Sequence, residues 1–211
     1  MNNESNQRAK IKSLTVAALI IAIVIILALT NLGILMITPL GVSIVHIPVI
    51  VGALLLGANY GAFFGFMFGL LSFLIATLQT PPTGFLFSPF APGPPGLSGN
   101  WASLIVCFVP RILIGVFTAL SLKLFLKLFK KPFLAYGSAA LIGSITNTVL
   151  VLSFMYIFFF RSGELAESIL GVSLMSIVVM QGIPEAIVAA LVSSALSGVL
   201  VKQGEKLKNR N

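Results

Sequence analysis

Six stretches of this chain are apolar almost without interruption, and the segments between and around them carry nearly all of its charge. The runs cover residues 14–35, 44–56, 60–78, 102–125, 133–160 and 173–201. A helix needs about 20 apolar residues to cross the hydrocarbon core of a bilayer, so five of the runs are long enough to span it. The run at 44–56 is shorter and holds His46 and Pro48, which predicts a short or bent second span. Pro110 and Arg111 lie inside the fourth run, and Gly182 and Pro184 interrupt the sixth. The pattern predicts an all-α membrane protein of six transmembrane helices, built as one transmembrane domain over residues 1–211 with tails at about 1–12 and 202–211.

Composition agrees with a chain that lives in lipid. Of 211 residues 58% are hydrophobic and 9% charged, against about 25% charged in a soluble domain, which leaves too few polar side chains to coat a water-facing surface. The net charge of +8 is distributed as topology demands and not as a nucleic-acid footprint. Arg8, Lys10 and Lys12 precede the first run, Lys123, Lys127, Lys130 and Lys131 separate the fourth from the fifth, and Lys202, Lys206, Lys208 and Arg210 follow the sixth. Six spans place these eleven of the thirteen basic residues on one face, with Arg161, Glu164 and Glu167 on the other. The positive-inside rule then puts both termini in the cytoplasm. The chain has no Asp, one His and one Cys, so neither a metal cage nor a disulfide framework is expected, and no cofactor is. The first run is too long for a signal-peptide core and stays in the membrane.

The longest connection, residues 79–100, reads QTPPTGFLFSPFAPGPPGLSGN. It is uncharged, rich in Pro and Gly, and carries Phe85, Phe87 and Phe90. Proline restricts the backbone and exposed aromatics favour burial, so it reads as an ordered lid on the extracellular end of the bundle and not as a flexible linker. A loop packed for stability alone is the plainer alternative.

No phosphate-binding loop, zinc-protease motif or Ser-His-Asp set occurs, so transport energy would come from an ion gradient or a partner. Three ionisable residues lie in the apolar runs at depth: Arg111, Glu185 and His46. A charge there costs at least about 2.5–3.5 kcal/mol and persists only when paired, hydrated or useful. Arg111 is the candidate for an anionic ligand group, because guanidinium recognises carboxylate bidentately. The plainer reading pairs it with Glu185. Asn147, Gln181 and Thr146 offer hydrogen bonds at the same depth, although bonding between helices explains each of them equally well. His46 serves either as a ligand donor or as a partner for a neighbouring helix. Gly57, Gly61, Gly65 and Gly69 recur every four residues and form a smooth stripe that favours close helix packing.

With these residues in place, the chain resembles the substrate-binding component of energy-coupling factor (ECF) vitamin transporters. AALIIA at 17–22 matches the family's Ala-x-x-x-Ala motif through Ala18 and Ala22, and GALLLGANYGAFFGFMFGLLS at 52–72 is similar to its second and third spans. FSPFAPGPPG at 87–96 with NWASLIVCFVPRILIG at 100–115 resembles the pantothenate-specific members. The resemblance implies a high-affinity binder of a water-soluble vitamin, not an enzyme, that docks through Ala18 and Ala22 on a transmembrane coupling subunit served by two ATPases. It implies a ligand that binds from outside under the 1–2 and 3–4 loops. Arg111 suits the carboxylate of pantothenate, Asn147 and Gln181 its hydroxyls or amide, and Trp101, Phe87 and Phe90 its apolar end. Glu185 suits a neutral or cationic vitamin better, such as a pyridoxine- or pyrimidine-type compound. A self-sufficient ion-coupled transporter with Glu185 as proton carrier is the alternative from another class, although the two halves show no inverted repeat.

Overall fold

The computed structural model of the protein describes residues 2–30, 34–35, 42–93, 97–160 and 178–208. Among them are six helices: α1 (Asn2–Leu29), α2 (His46–Leu56), α3 (Ala58–Leu78), α4 (Ala102–Leu128), α5 (Pro132–Phe158) and α6 (Ile183–Lys208). Five segments are long and apolar enough to cross a membrane: Lys10–Leu29, Ala58–Leu78, Ala102–Leu128, Pro132–Phe158 and Val178–Lys202. The sixth helix, α2, has 11 residues. At 1.5 Å per residue it extends about 16 Å, half of what a span needs. Arg161, Glu164, Glu167 and Arg210 lie outside the described residues, as do 94–96 of the long connection and 173–177 of the sixth run.

The helices follow the apolar runs, and the departures have local causes. Helix α1 starts twelve residues before the expected span, inside the basic tail, because neither Gly nor Pro occurs before Gly33 to stop it. It ends at Leu29 and not at 35, and residues 34–35 form instead a two-residue antiparallel ladder with 42–43. Gly57 departs from the packing stripe expected of it. It takes φ +91°, a conformation that L side chains rarely adopt, and it breaks the chain between α2 and α3. Before α6, residues Val178–Gly182 form one π-helical turn. Pro184 has no N–H to donate to the carbonyl four residues back, and a widened turn is how a helix accommodates that loss.

Helix α2 is the centre of the bundle, packing against α1, α3, α4, α5 and α6. His46, Ile47, Val49, Ile50, Gly52, Ala53 and Leu54 are all buried. A short helix walled in by five others has no need to reach lipid. The long helices do reach it, and Leu19, Ile26, Phe117, Leu124, Val149 and Leu191 are exposed on their outer faces. On a soluble protein such a surface would aggregate, whereas here it matches the solvent.

The other three stripe glycines let α3 and α4 run antiparallel with their backbones in contact. A Cβ at Gly61 would lie 2.7 Å from the carbonyl oxygen of Gly115. One at Gly65 would overlap the carbonyl of Arg111, and one at Gly69 would come within 3.0 Å of the Phe108 ring. Gly143 receives the Thr118 hydroxyl between α4 and α5, and Gly137 receives Ser194 between α5 and α6. Ser194 Oγ also donates to the Phe133 carbonyl at 3.2 Å, tying the two helices.

These contacts set an expectation for thermal unfolding in detergent. Gly65→Val forces α3 away from the Arg111 carbonyl and should cost about 1–3 kcal/mol, the usual range for overpacking. Gly198→Ala, where an added Cβ meets nothing within 4 Å, should be neutral or stabilising. A Gly65→Val protein with an unchanged midpoint would mean that the close approach is dispensable.

Candidate functional site

Arg111 sits two-fifths of the way along α4 with 8% of its surface exposed. The residue before it explains how a guanidinium can be held there. Pro110 lacks an N–H, so the Val106 carbonyl loses its backbone donor from one turn ahead. Arg111 Nη1 donates to that same carbonyl at 2.8 Å. Two rings lie over the guanidinium, Phe87 with its centroid 4.8 Å away and Phe68 at 5.6 Å, both within cation–π range. Nε is buried and has no hydrogen-bond partner among the described residues. The guanidinium is therefore anchored through one amine and covered by two rings, while a second donor is unused.

Glu185, in the first turn of α6, is buried and interacts electrostatically with Arg111. Its Oε1 accepts a hydrogen bond from Gln181 Nε2 at 3.3 Å, across the junction of the π turn and α6. His46 opens α2 and is 1% exposed, and its Nε2 lies 3.4 Å from Ser144 Oγ on α5. One turn beyond Ser144, the side-chain oxygen of Asn147 is buried without a hydrogen-bond partner among the described residues. Thr146 spends its hydroxyl on its own helix, donating to the Ile142 carbonyl at 2.7 Å. Arg111, Glu185, His46 and Asn147 come from α4, α6, α2 and α5, of which α2 and α5 each pack on the other three, and Gln181 lies in the π turn before α6.

The long connection is bolted to the bundle at three places. Phe85 and Leu86, in a 3₁₀ turn at Gly84–Leu86, are fully buried in a second apolar cluster with Val106, Met155, Phe159 and Phe160. The Phe85 and Phe159 rings meet edge-on with centroids 5.7 Å apart. Ser103 Oγ donates to the Phe85 carbonyl at 2.8 Å. Ser88, fully buried, completes the attachment. Thr77 gives its hydroxyl proton to the Phe73 carbonyl, so Ser88 Oγ is the donor in their 2.7 Å contact and accepts in turn from the Phe90 amide. This seating brings Phe87 over Arg111.

Phe90 and Trp101 stand elsewhere. They are 67% and 74% exposed, stack edge-on with centroids 6.4 Å apart, and continue a file of rings through Phe73, Phe108 and Phe66. Of the three aromatics expected around a ligand, the structure brings only Phe87 to the buried cation. Phe68 was not anticipated there, and its signal is positional: it stands one turn beyond Gly65, which touches the Arg111 backbone. Ser144 was also unanticipated, because 98 residues separate it from His46.

Residues 12–197 match the family described as ECF transporter, substrate-specific component. The chain belongs to that family. It is a multi-pass membrane protein of the prokaryotic cell membrane and a transporter component, not an enzyme. It is also 35% identical over 198 residues to the pantothenic acid transporter PanT of Lactococcus lactis subsp. cremoris (strain MG1363), across 93% of this chain and 97% of that protein. Among the described residues no three His, Cys, Asp or Glu side chains cluster as metal ligands.

The Ser88 attachment has a measurable consequence for this ECF component. Ser88→Ala removes a buried hydroxyl that both donates and accepts, and should cost about 1 kcal/mol of local stability. Hydrogen exchange at the amides of residues 84–91 should then run about fivefold faster, with α5 unaffected. Unchanged exchange in the loop would mean that the apolar cluster alone seats it.

Proposed function

We propose that this protein captures a water-soluble vitamin, with pantothenate as its cargo, and delivers it to an ECF-type importer. The observation that carries the reading is the buried Arg111 with an unused Nε donor, in a chain 35% identical to a pantothenic acid transporter. Pantothenate offers one carboxylate, two hydroxyls, an amide and a branched apolar end. The carboxylate is placed on Arg111, where charge-assisted bonds in a low-dielectric site are strongest. Asn147 Oδ1 takes a ligand hydroxyl or amide N–H, and Gln181 a further polar group. Phe87 packs on the apolar part. Glu185 balances the cation when the site is empty, and its carboxylate is held by Gln181 when the ligand takes its place.

The rest of the cycle depends on partners. Both termini lie in the cytoplasm, the 79–100 connection faces outward over the vitamin, and residues 1–211 act as one substrate-binding domain. A transmembrane coupling subunit with two ATPases supplies the energy, which accounts for the lack of a nucleotide motif in this chain. Helix α1 supports a docking role for Ala18 and Ala22. Ala17, Ile20, Val24 and Ala28 face the core, while Ala18 and Ala22 are exposed on the outer side. Small residues there let a partner helix come close.

Two experiments test this reading. Arg111→Ala removes a hydrogen-bonded charge worth about 1.5–3 kcal/mol, so pantothenate affinity should fall roughly tenfold to hundredfold. Because that variant also changes the surroundings of Glu185, the decisive comparison is with an analogue whose carboxylate is reduced to an alcohol. The natural protein should prefer the acid strongly, and the Ala variant should bind both alike. A variant that keeps the natural preference would make Arg111 a structural residue. Separately, Ala18→Trp with Ala22→Trp should abolish uptake by the assembled transporter and leave vitamin binding to the isolated component intact. Uptake that survives both changes would place the docking face elsewhere.

A further inference from the structure

The geometry points to Pro110 as a positioning residue for anion recognition, which acts by reserving the Val106 carbonyl for the Arg111 guanidinium. This rests on Arg111 as the contact for the ligand carboxylate, and goes beyond it by saying what aims that side chain.

In an uninterrupted helix the Val106 carbonyl would accept the backbone N–H of residue 110. Proline has no such hydrogen, and its ring crowds the carbonyl four residues back. A carbonyl left open in an apolar bundle must find another donor. Here it finds Arg111 Nη1 at 2.8 Å, from the very next residue, and the whole arrangement is buried. Without that acceptor nothing on α4 would hold the guanidinium against its own helix, and it would be free to extend away from it. The freed carbonyl folds it back along α4 and under Phe87 and Phe68. The two rings cover the guanidinium, and the Val106 carbonyl fixes one of its amines. Three restraints hold one planar group, and Nε, which has no partner among the described residues, is aimed before any ligand arrives. Preorganisation of this kind raises affinity by lowering the ordering cost of binding.

Proline inside a helix normally costs stability, so the inference separates stability from function. Pro110→Ala gives residue 110 an N–H that competes for the Val106 carbonyl. The variant should unfold at the same temperature as the natural protein or higher. Its preference for pantothenate over the alcohol analogue should nevertheless fall about tenfold, with affinity for the alcohol little changed. Isothermal titration of the purified full-length protein with both ligands, beside thermal unfolding, reads all of these quantities. If Pro110→Ala keeps the natural preference, or loses affinity for both ligands in parallel, the positioning role is refuted. Arg111→Ala in the same series keeps the two ideas apart. A preference that survives both variants defeats the reading of Arg111 itself, whereas one that collapses only in Arg111→Ala defeats the role of Pro110 alone.

Discussion

A guanidinium buried among lipid-facing helices is expensive unless protein groups or a ligand meet it. Much of the arrangement around α4 follows from that constraint. The proline before Arg111 opens a carbonyl, and the carbonyl takes one amine. Gly65 lets α3 touch the Arg111 backbone and so brings Phe68 within reach. Ser88, Ser103 and Phe85 fasten the long connection so that Phe87 closes over the group from another direction. Three separate parts of the chain converge on one side chain, and none of them is charged.

Around this point the bundle is more polar than its composition implies. His46, Ser144, Glu185 and Arg111 are all buried, and Asn147 has a buried oxygen. They come from α2, which among the described helices is the one too short to span, and from three helices that pack on it. A full-length helix in that place would expose both ends to the aqueous faces and fill the interior with apolar side chains. An 11-residue helix starting at His46 instead leaves its N-terminal end inside the protein, where its polar first residue meets α5. The irregular backbone before α6 falls in the same region, consistent with the tolerance of membrane proteins for broken helices where protein covers them.

The helical plan was legible in the sequence because hydrophobic length is a strong signal in a bilayer, and Pro110 and Pro184 marked the two interrupted runs. The glycine stripe was legible as packing, although Gly57 could not be told from its neighbours by spacing alone, since its role depends on a backbone angle. Arg111 and Glu185 stood out by the cost of placing charge at depth, and both are buried in the structure. The aromatics of the long connection were harder to place. The premise that exposed rings seek burial holds in water, but at a membrane surface rings are at ease outside, and Phe90 and Trp101 are exposed. Partners such as Phe68 and Ser144 stayed hidden because they meet the site across helices, and neither periodicity nor charge reveals which face turns toward which.

Trp101 adds one more consequence. It is the chain's sole tryptophan, it lies at the junction of the long connection and α4, and it stacks on Phe90 while most of its surface is open. Indole emission depends on the polarity around the ring, so the tryptophan fluorescence of this protein comes from a single known place. A spectroscopist needs no label and no engineered residue to watch that corner of the molecule.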